Sequence, residues 1–202
     1  MNNNRKKRKI LLATTNLGKI KEFYSLLHDI PYDITTPNKE EICLDVEENG
    51  TTFSENAFIK ATAYMKKSGF ISLADDSGIE VDALGGEPGI YSARYGGKQL
   101  SDEDRVQLLL KNMNGVPWEK RTARFKAAIV LAWPEGKTIL KEGVFQGYIG
   151  YKPEGVNGFG YDPIFFLPQH GMTSAQLSKN QKNKISHRYI AAKKILDVLQ
   201  SE

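Results

Sequence analysis

The sequence has little cysteine and no long apolar run, and both absences limit what the protein can be. Cys43 is the only cysteine among 202 residues, which excludes an internal disulfide and a cysteine-rich zinc site. The longest apolar run covers residues 127–133, whereas a membrane-spanning helix needs about 18 apolar residues. No apolar signal-peptide core follows the basic N-terminus. These absences predict a soluble, cytoplasmic protein with no membrane partner.

The net positive charge of the chain comes from its two ends. Five consecutive basic residues lie at 5–9 and six more between 170 and 202, whereas residues 10–169 carry more acidic than basic side chains. We expect residues 1–9 to be a disordered, solvated tail and residues 10–202 to form a single domain. A nucleic-acid-binding module that uses the two basic ends is an alternative, but the acidic body argues against nucleic acid as a partner.

Hydrophobic periodicity predicts an α/β or mixed α+β fold with a mixed sheet. A strand at residues 10–15 is followed by a helix with Ile20, Phe23 and Leu27 on one face. The other predicted elements are a helix that begins in a capping box at Thr52–Glu55 and ends at Gly69, a strand at 70–74 that leads into a turn at 75–78, a long hairpin over 121–144, and a last helix capped by Ser186.

The turn between the first strand and the first helix is a candidate phosphate site. A turn with a glycine at a helix N-terminus presents backbone N–H groups to an anion, and a lysine adds positive charge. It is not a Walker A loop, because the first glycine and the Ser or Thr after the lysine are missing. Taken alone, it is equally typical of an ordinary strand–helix turn. The candidate residues are Thr14, Thr15, Asn16, Leu17, Gly18 and Lys19.

Carboxylates and one lysine form a second group of candidates. Asp75 and Asp76 follow an apolar strand directly, and oxygen ligands at a strand end suit Mg²⁺ with a substrate phosphate. One of these aspartates could also accept a proton from an attacking water. Glu47 and Glu48 lie upstream, and Lys60 falls near the buried face of its helix. A polar turn and a lysine stem lying along apolar surface are the alternative interpretations.

Glycines and aromatic residues near the C-terminus predict a slot for a flat ring. The glycine order around Phe159, Gly160, Tyr161 and Asp162 does not match a dinucleotide fingerprint. Further along, the side chains of Lys182, His187 and Arg188 offer donors for a carbonyl oxygen on a base or for phosphate. Together with the anion turn and the carboxylates, these residues describe a Mg²⁺-dependent site for a nucleoside polyphosphate.

Five motifs, in order, resemble those of the inosine/xanthosine triphosphate pyrophosphatase family, and the resemblance spans residues 10 to about 199. They are Ala13–Lys19, Phe53–Ala57 with Lys60 and Ala61, Ala74–Gly78 continuing through Pro88–Tyr95, Gly158–Pro163, and Ser186–Arg188.

The resemblance implies hydrolysis of ITP, dITP and XTP to the monophosphate and pyrophosphate, with Mg²⁺, in a homodimer. It implies a long mixed sheet with flanking helices and two lobes around a central cleft. Asp76 matches the proton acceptor and a metal ligand, and Glu47 matches the second metal ligand, with Glu48 as the alternative. Lys60 is included with Asp76 among the catalytic residues. The substrate contacts implied are Thr14–Lys19, Lys60, Ser77, Phe159–Asp162, Lys182, His187 and Arg188. A pyrophosphatase for modified pyrimidine nucleotides is the second enzymatic interpretation.

Overall fold

The computed structural model describes residues 8–201, so most of the predicted basic tail lies outside the described residues. The strands within this range are β1 Lys9–Leu12, β2 Asp33–Thr35, β3 Ile71–Val81, β4 Thr122–Ala132, β5 Thr138–Ile149, β6 Phe165–Leu167 and β7 Met172–Thr173. The α-helices are α1 Leu17–Leu26, α2 Phe53–Ser68, α3 Asp102–Asn112, α4 Lys179–Lys182 and α5 His187–Gln200. None of the helices in residues 8–201 is both long and apolar enough to cross a membrane.

The strands form one mixed sheet in the order β2-β1-β3-β4-β5-β6-β7. β1 pairs in parallel with both β2 and β3, and Ile10 lies opposite Ile34 on one side and Ile71 on the other. β6 runs antiparallel to both β5 and β7. The predicted mixed α/β fold is confirmed, and β4 and β5 are the neighbouring strands of the predicted hairpin.

The chain divides into two compact units. Within the described residues, the first unit comprises residues 8–76, 128–141 and 191–201, and the second comprises residues 77–127 and 142–190. The first unit is centred on β1, whose apolar side chains are fully buried, as expected for a parallel strand covered on both faces. In the second unit, Val106 and Leu109 of α3 and the following Met113 pack with aromatic residues such as Phe125 and Phe165 in one hydrophobic core.

Local signals fix the ends of helix α2 as predicted. The Glu55 N–H donates to Thr52 Oγ1 at 3.1 Å, and Gly69 ends the helix with a left-handed φ of 69°. The Glu55 carboxylate in turn accepts from the N–H of Thr51 at 2.6 Å and from the Thr51 hydroxyl at 2.9 Å. Similarly, the Tyr189 N–H donates to Ser186 Oγ at the start of α5.

The turn predicted at residues 75–78 is wrong, because β3 continues through these residues to Val81. Gly78 allows this course, since a Cβ at that position would collide with the Ser92 hydroxyl. The two aspartates are tolerated inside the strand because lysines from other elements reach them. Polar and glycine residues are typical of turns, but here they mark a strand with functional side chains.

Candidate active site

Asp75 and Asp76 lie side by side on β3, and each is paired with a different lysine. Asp75 Oδ2 is 2.8 Å from Lys19 Nζ, and Asp76 Oδ1 is 3.1 Å from Lys60 Nζ. Successive residues of a strand point to opposite faces, so the two carboxylates meet lysines of two different helices, α1 and α2. Separate ion pairs explain how adjacent aspartates can be buried together.

Lys60 connects two carboxylates. Its Nζ donates to Glu48 Oε2 at 3.0 Å as well as to Asp76 Oδ1. The side chains of Lys60 and Asp76 are 12% and 10% exposed, so the ion pair is only partly screened by water. We refer to Lys19, Glu48, Lys60, Asp75 and Asp76, all in the first unit, as the lysine–carboxylate cluster.

Burial and charge oppose each other at Asp76 and Lys60. Burial raises the pKa of Asp76, and the ammonium groups of Lys60 and Lys19 only partly offset it. Burial favours the neutral form of Lys60, but Asp76 and Glu48 outweigh it, so the pKa of the lysine is raised. The cluster therefore combines a firmly protonated lysine with a carboxylate that is more basic than an ordinary aspartate.

One oxygen of Asp76 is left available for a ligand. Asp76 Oδ2 is buried and accepts no hydrogen bond from the part of the chain that the structure describes. Across residues 8–201, no group of three or more His, Cys, Asp or Glu side chains could hold a metal ion. Two carboxylates nevertheless fit Mg²⁺, which keeps several waters and uses substrate phosphate as a ligand. Asp76 and Glu48 are the residues that could hold it.

The structure distinguishes between the two adjacent glutamates. Glu47 is exposed, whereas Glu48 is half-buried and pairs with Lys60. The sequence motif predicts Glu47 as the metal ligand and leaves Glu48 as the alternative. The geometry brings the Glu48 carboxylate, not that of Glu47, into contact with the cluster.

The predicted phosphate turn precedes α1. Asn16 caps the helix by accepting the Lys19 N–H at 3.1 Å, and Thr14 Oγ1 accepts the Asn16 N–H. Thr15, Asn16 and Leu17 are exposed, while Thr14 and Gly18 are half-buried. Lys19 thus links this turn to Asp75, and the N-terminus of a ten-residue helix opens beside the lysine.

A second group of predicted residues comes together in the second unit. Arg188 is 2% exposed and donates from Nη2 to Ser77 Oγ at 2.8 Å. Lys182 Nζ lies 2.5 Å from Asp162 Oδ2. The Phe159 ring lies 5.2 Å from Lys182 Nζ and 5.6 Å from Arg188 Cζ. We call Ser77, Phe159, Asp162, Lys182 and Arg188 the ring cluster, and cations beside a half-buried ring suit a planar, oxygen-bearing ligand.

His187 and Tyr161 have different surroundings from the other predicted residues. His187 is buried, and its ring stacks on Phe125 at 4.9 Å. Tyr161 packs in the hydrophobic core and donates its hydroxyl to Ser92 O at 2.9 Å, and burial raises its pKa. The Tyr161 side chain therefore has a packing role in the core. A ligand could contact this residue only through its backbone.

Asp102 and Ser174 shape the site but were not found by sequence reasoning. Asp162 accepts from the Phe159 N–H and from the Ser174 hydroxyl, and Asp102 Oδ2 accepts the Gly160 N–H at 3.1 Å. A Cβ at Gly158 would collide with the Asp162 carboxylate, so only glycine fits there. Ser174 and Asp102 are 12 and 58 residues away from their partners in the sequence, and no local pattern identifies them.

The two clusters contain residues that are neighbours in the sequence. Asp76 is the last residue of its segment in the first unit, and Ser77 is the first residue of the second unit. Consecutive residues of β3 thus belong to the lysine–carboxylate cluster and to the ring cluster.

Comparison with known proteins gives consistent matches over nearly the whole chain. The model of the Ham1 family matches residues 10–198. A dITP/XTP pyrophosphatase of Halalkalibacterium halodurans is 45% identical over 185 residues, covering 92% of this chain and 95% of that protein. The structure of the Staphylococcus aureus Ham1 protein matches with a TM-score of 0.86 at 42% identity, covering 96% of this chain and 99% of that one. A HAM1 protein from Coxiella burnetii matches with a TM-score of 0.88 at 38% identity, covering 96% and 100% of the two chains.

Proposed function

The chain belongs to the Ham1 family, and we propose that it hydrolyses the nonstandard purine nucleoside triphosphates ITP, dITP and XTP. The products are the nucleoside monophosphate and pyrophosphate. Similar proteins named dITP/XTP pyrophosphatase support this activity, and the family resemblance found in the motifs is confirmed. The observation that carries the proposal is Lys60, which links Glu48 to a buried Asp76 with one oxygen left open.

Asp76 acts as the general base in this proposal. Its Oδ2 oxygen is buried and accepts no hydrogen bond within residues 8–201, so this oxygen is available to take a proton from water. The water oxygen forms a bond to one phosphorus of the α–β anhydride, and its proton passes to Asp76. The bond from that phosphorus to the bridging oxygen then breaks, and pyrophosphate and monophosphate separate. Lys60 keeps Asp76 in place, and Lys19 with the turn before α1 binds phosphate.

We assign Mg²⁺ as the cofactor in this proposal, with Asp76 and Glu48 as its ligands. When bound, the ion neutralises charge that develops on the phosphate oxygens. The contact between Glu48 and Lys60 favours Glu48 over Glu47 as the second ligand. Chelation of divalent cations should abolish turnover, and added Mg²⁺ should restore it.

The ring cluster supplies the preference for the base. A buried Arg188, assisted by His187, would donate to the 6-oxo group of hypoxanthine or xanthine. Adenine presents an amino group at that position, which leaves these donors without an acceptor. An unsatisfied buried donor costs about 1–3 kcal/mol, or roughly 5- to 150-fold in selectivity against ATP. The preference for a purine with a 6-oxo group over adenine is therefore attributed to the hydrogen-bond donors beside Phe159.

Asp76→Asn tests the proposed base. We expect turnover to fall by about 100-fold or more, as for the loss of a general base, while nucleotide binding is largely retained. Asp82→Asn is the matched control, because Asp82 directly follows β3 and pairs with Thr122 and Arg124 outside both clusters. Near-normal turnover by the Asp76 variant would contradict the assignment.

We also propose that the enzyme is a cytoplasmic homodimer that removes deaminated purines from the nucleotide pool. The family resemblance supports the dimer. The cytoplasmic location is supported by the substrates, which belong to the nucleotide pool. Sedimentation equilibrium at several protein concentrations tests the dimer directly. A monomer at every concentration would contradict it.

A further inference from the structure

Glu48 belongs to an extended segment, Leu44–Gly50, that forms neither helix nor strand. Hydrogen bonds from three successive turns of α2 hold this segment. Tyr64 Oη donates to Leu44 O at 3.2 Å, Lys60 Nζ donates to Glu48 Oε2 at 3.0 Å, and the Gly50 N–H donates to Asn56 Oδ1 at 2.9 Å. The three helix residues are spaced by four, so they lie on one face of α2.

The polar side chains Asn56 and Tyr64 on this face are buried, so losing one of their hydrogen bonds would cost free energy. Asn56 is 0% exposed and Tyr64 is buried, in a helix whose other buried side chains are apolar. Asn56 Nδ2 has no hydrogen-bond partner within residues 8–201. A buried donor without a partner costs free energy, so the Asn56 side chain is favourable only through its bond to Gly50.

Gly50 allows the close approach of the segment to α2. A Cβ at this position would lie 2.7 Å from Glu55 Cβ and 2.8 Å from Asn56 Oδ1. The next residue, Thr51, donates its N–H and hydroxyl to the Glu55 carboxylate. The segment is therefore tied to α2 on both sides of Glu48, at Leu44 and at Gly50.

We infer that Asn56 and Tyr64 are positioning residues that hold Leu44–Gly50 on α2 and thereby keep the Glu48 carboxylate beside Lys60 and Asp76. The consequence of this positioning is a Mg²⁺ site that is formed before substrate binds. Only this consequence rests on the proposed function. Within residues 8–201, the segment is not part of the sheet. Without these two bonds, Glu48 would exchange its contact with Lys60 for water.

Tyr64→Phe and Asn56→Leu each remove one of these bonds and keep most of the side-chain volume. Tyr24→Phe is the matched control, because Tyr24 Oη also donates to a backbone carbonyl, Ile34 O, in the same unit. Two quantities are measured for each protein. One is the hydrogen-exchange rate of the amides from residue 44 to residue 51, and the other is the Mg²⁺ concentration that gives half-maximal turnover of ITP.

We expect faster exchange in the segment for both variants and a Mg²⁺ requirement about 10-fold higher, as for residues that orient metal ligands. Tyr24→Phe should change neither quantity. Unchanged exchange would overturn the inference, and so would faster exchange with an unchanged Mg²⁺ requirement, because the bonds would then be only structural. If Asn56→Leu does not fold, Tyr64→Phe decides. Absence of ITP turnover by the unmodified protein would count against the proposed function instead, and the exchange rates would still test the positioning.

Discussion

Replacing Asp162 with asparagine should destabilise the second unit more than any other single change in the ring cluster. The Asp162 carboxylate accepts from Lys182 Nζ at 2.5 Å, from the Phe159 N–H at 2.9 Å and from the Ser174 hydroxyl at 2.8 Å. The side chains of Asp162 and Lys182 are 3% and 8% exposed. The substitution removes the carboxylate charge that the buried Lys182 ammonium pairs with.

The two members of the ion pair should not contribute equally. Loss of one partner of a buried pair costs about 3–5 kcal/mol, and we expect a value in this range for Asp162→Asn. Lys182→Met should cost less, because the carboxylate keeps its bonds to Phe159 and Ser174. The double variant should be more stable than the sum of the two single changes predicts, since no buried charge remains unpaired.

Urea unfolding followed by tryptophan fluorescence measures these differences. The two tryptophans lie in different units, Trp118 in the second and Trp133 in the first. A Trp133→Phe background therefore reports on the unit that contains Asp162. A loss below about 1 kcal/mol for Asp162→Asn would refute the argument, since buried pairs that lose a partner cost several times more. Strict additivity in the double variant would also refute it.

Three further predictions concern specificity, acid stability and packing. Arg188→Ala should lower the ratio of kcat/KM for ITP over ATP by roughly 5- to 150-fold, and an unchanged ratio would contradict its role in recognising the base. The Ser101 hydroxyl and N–H hold the pKa of Asp104 below its usual value of 3.8, so the stabilisation is present above that pH and is lost as the pH falls through the lowered pKa. The stability difference between the unmodified protein and Asp104→Asn should therefore shrink in acid, and a constant difference in urea unfolding would be inconsistent with this. Gly78→Ala should cost about 1–3 kcal/mol of unfolding free energy because its Cβ would collide with Ser92, and a neutral effect would show that β3 can shift.

Elements defined by local patterns could be predicted from the sequence. The cap at Thr52 and the glycine at Gly69 bracket α2 as predicted, because both act within a few residues. The polar residues 75–78 misled the prediction, because the lysines that stabilise them come from positions 19 and 60. Periodicity contains no information about such distant pairs.

In the candidate site, too, some features could be predicted from the sequence and others could not. Motif order was sufficient to place Lys60 with Asp76 in one hypothesis, and the structure brings them to 3.1 Å. The sequence predicted Glu47 as the metal ligand and kept Glu48 as the alternative, because adjacent acidic residues match a motif almost equally well. The structure separates them, because the Glu47 side chain is exposed whereas the half-buried Glu48 accepts a hydrogen bond from Lys60.

The most direct test of the proposed function is an analysis of the products formed with Mg²⁺ from ITP, dITP, XTP, GTP and ATP in separate reactions. We expect monophosphate and pyrophosphate in equal amounts from ITP, dITP and XTP, with little product from ATP and GTP. Diphosphate and orthophosphate would show that a different anhydride bond is broken. Equal turnover of ATP and ITP would contradict the proposed recognition of the base by Arg188 and His187.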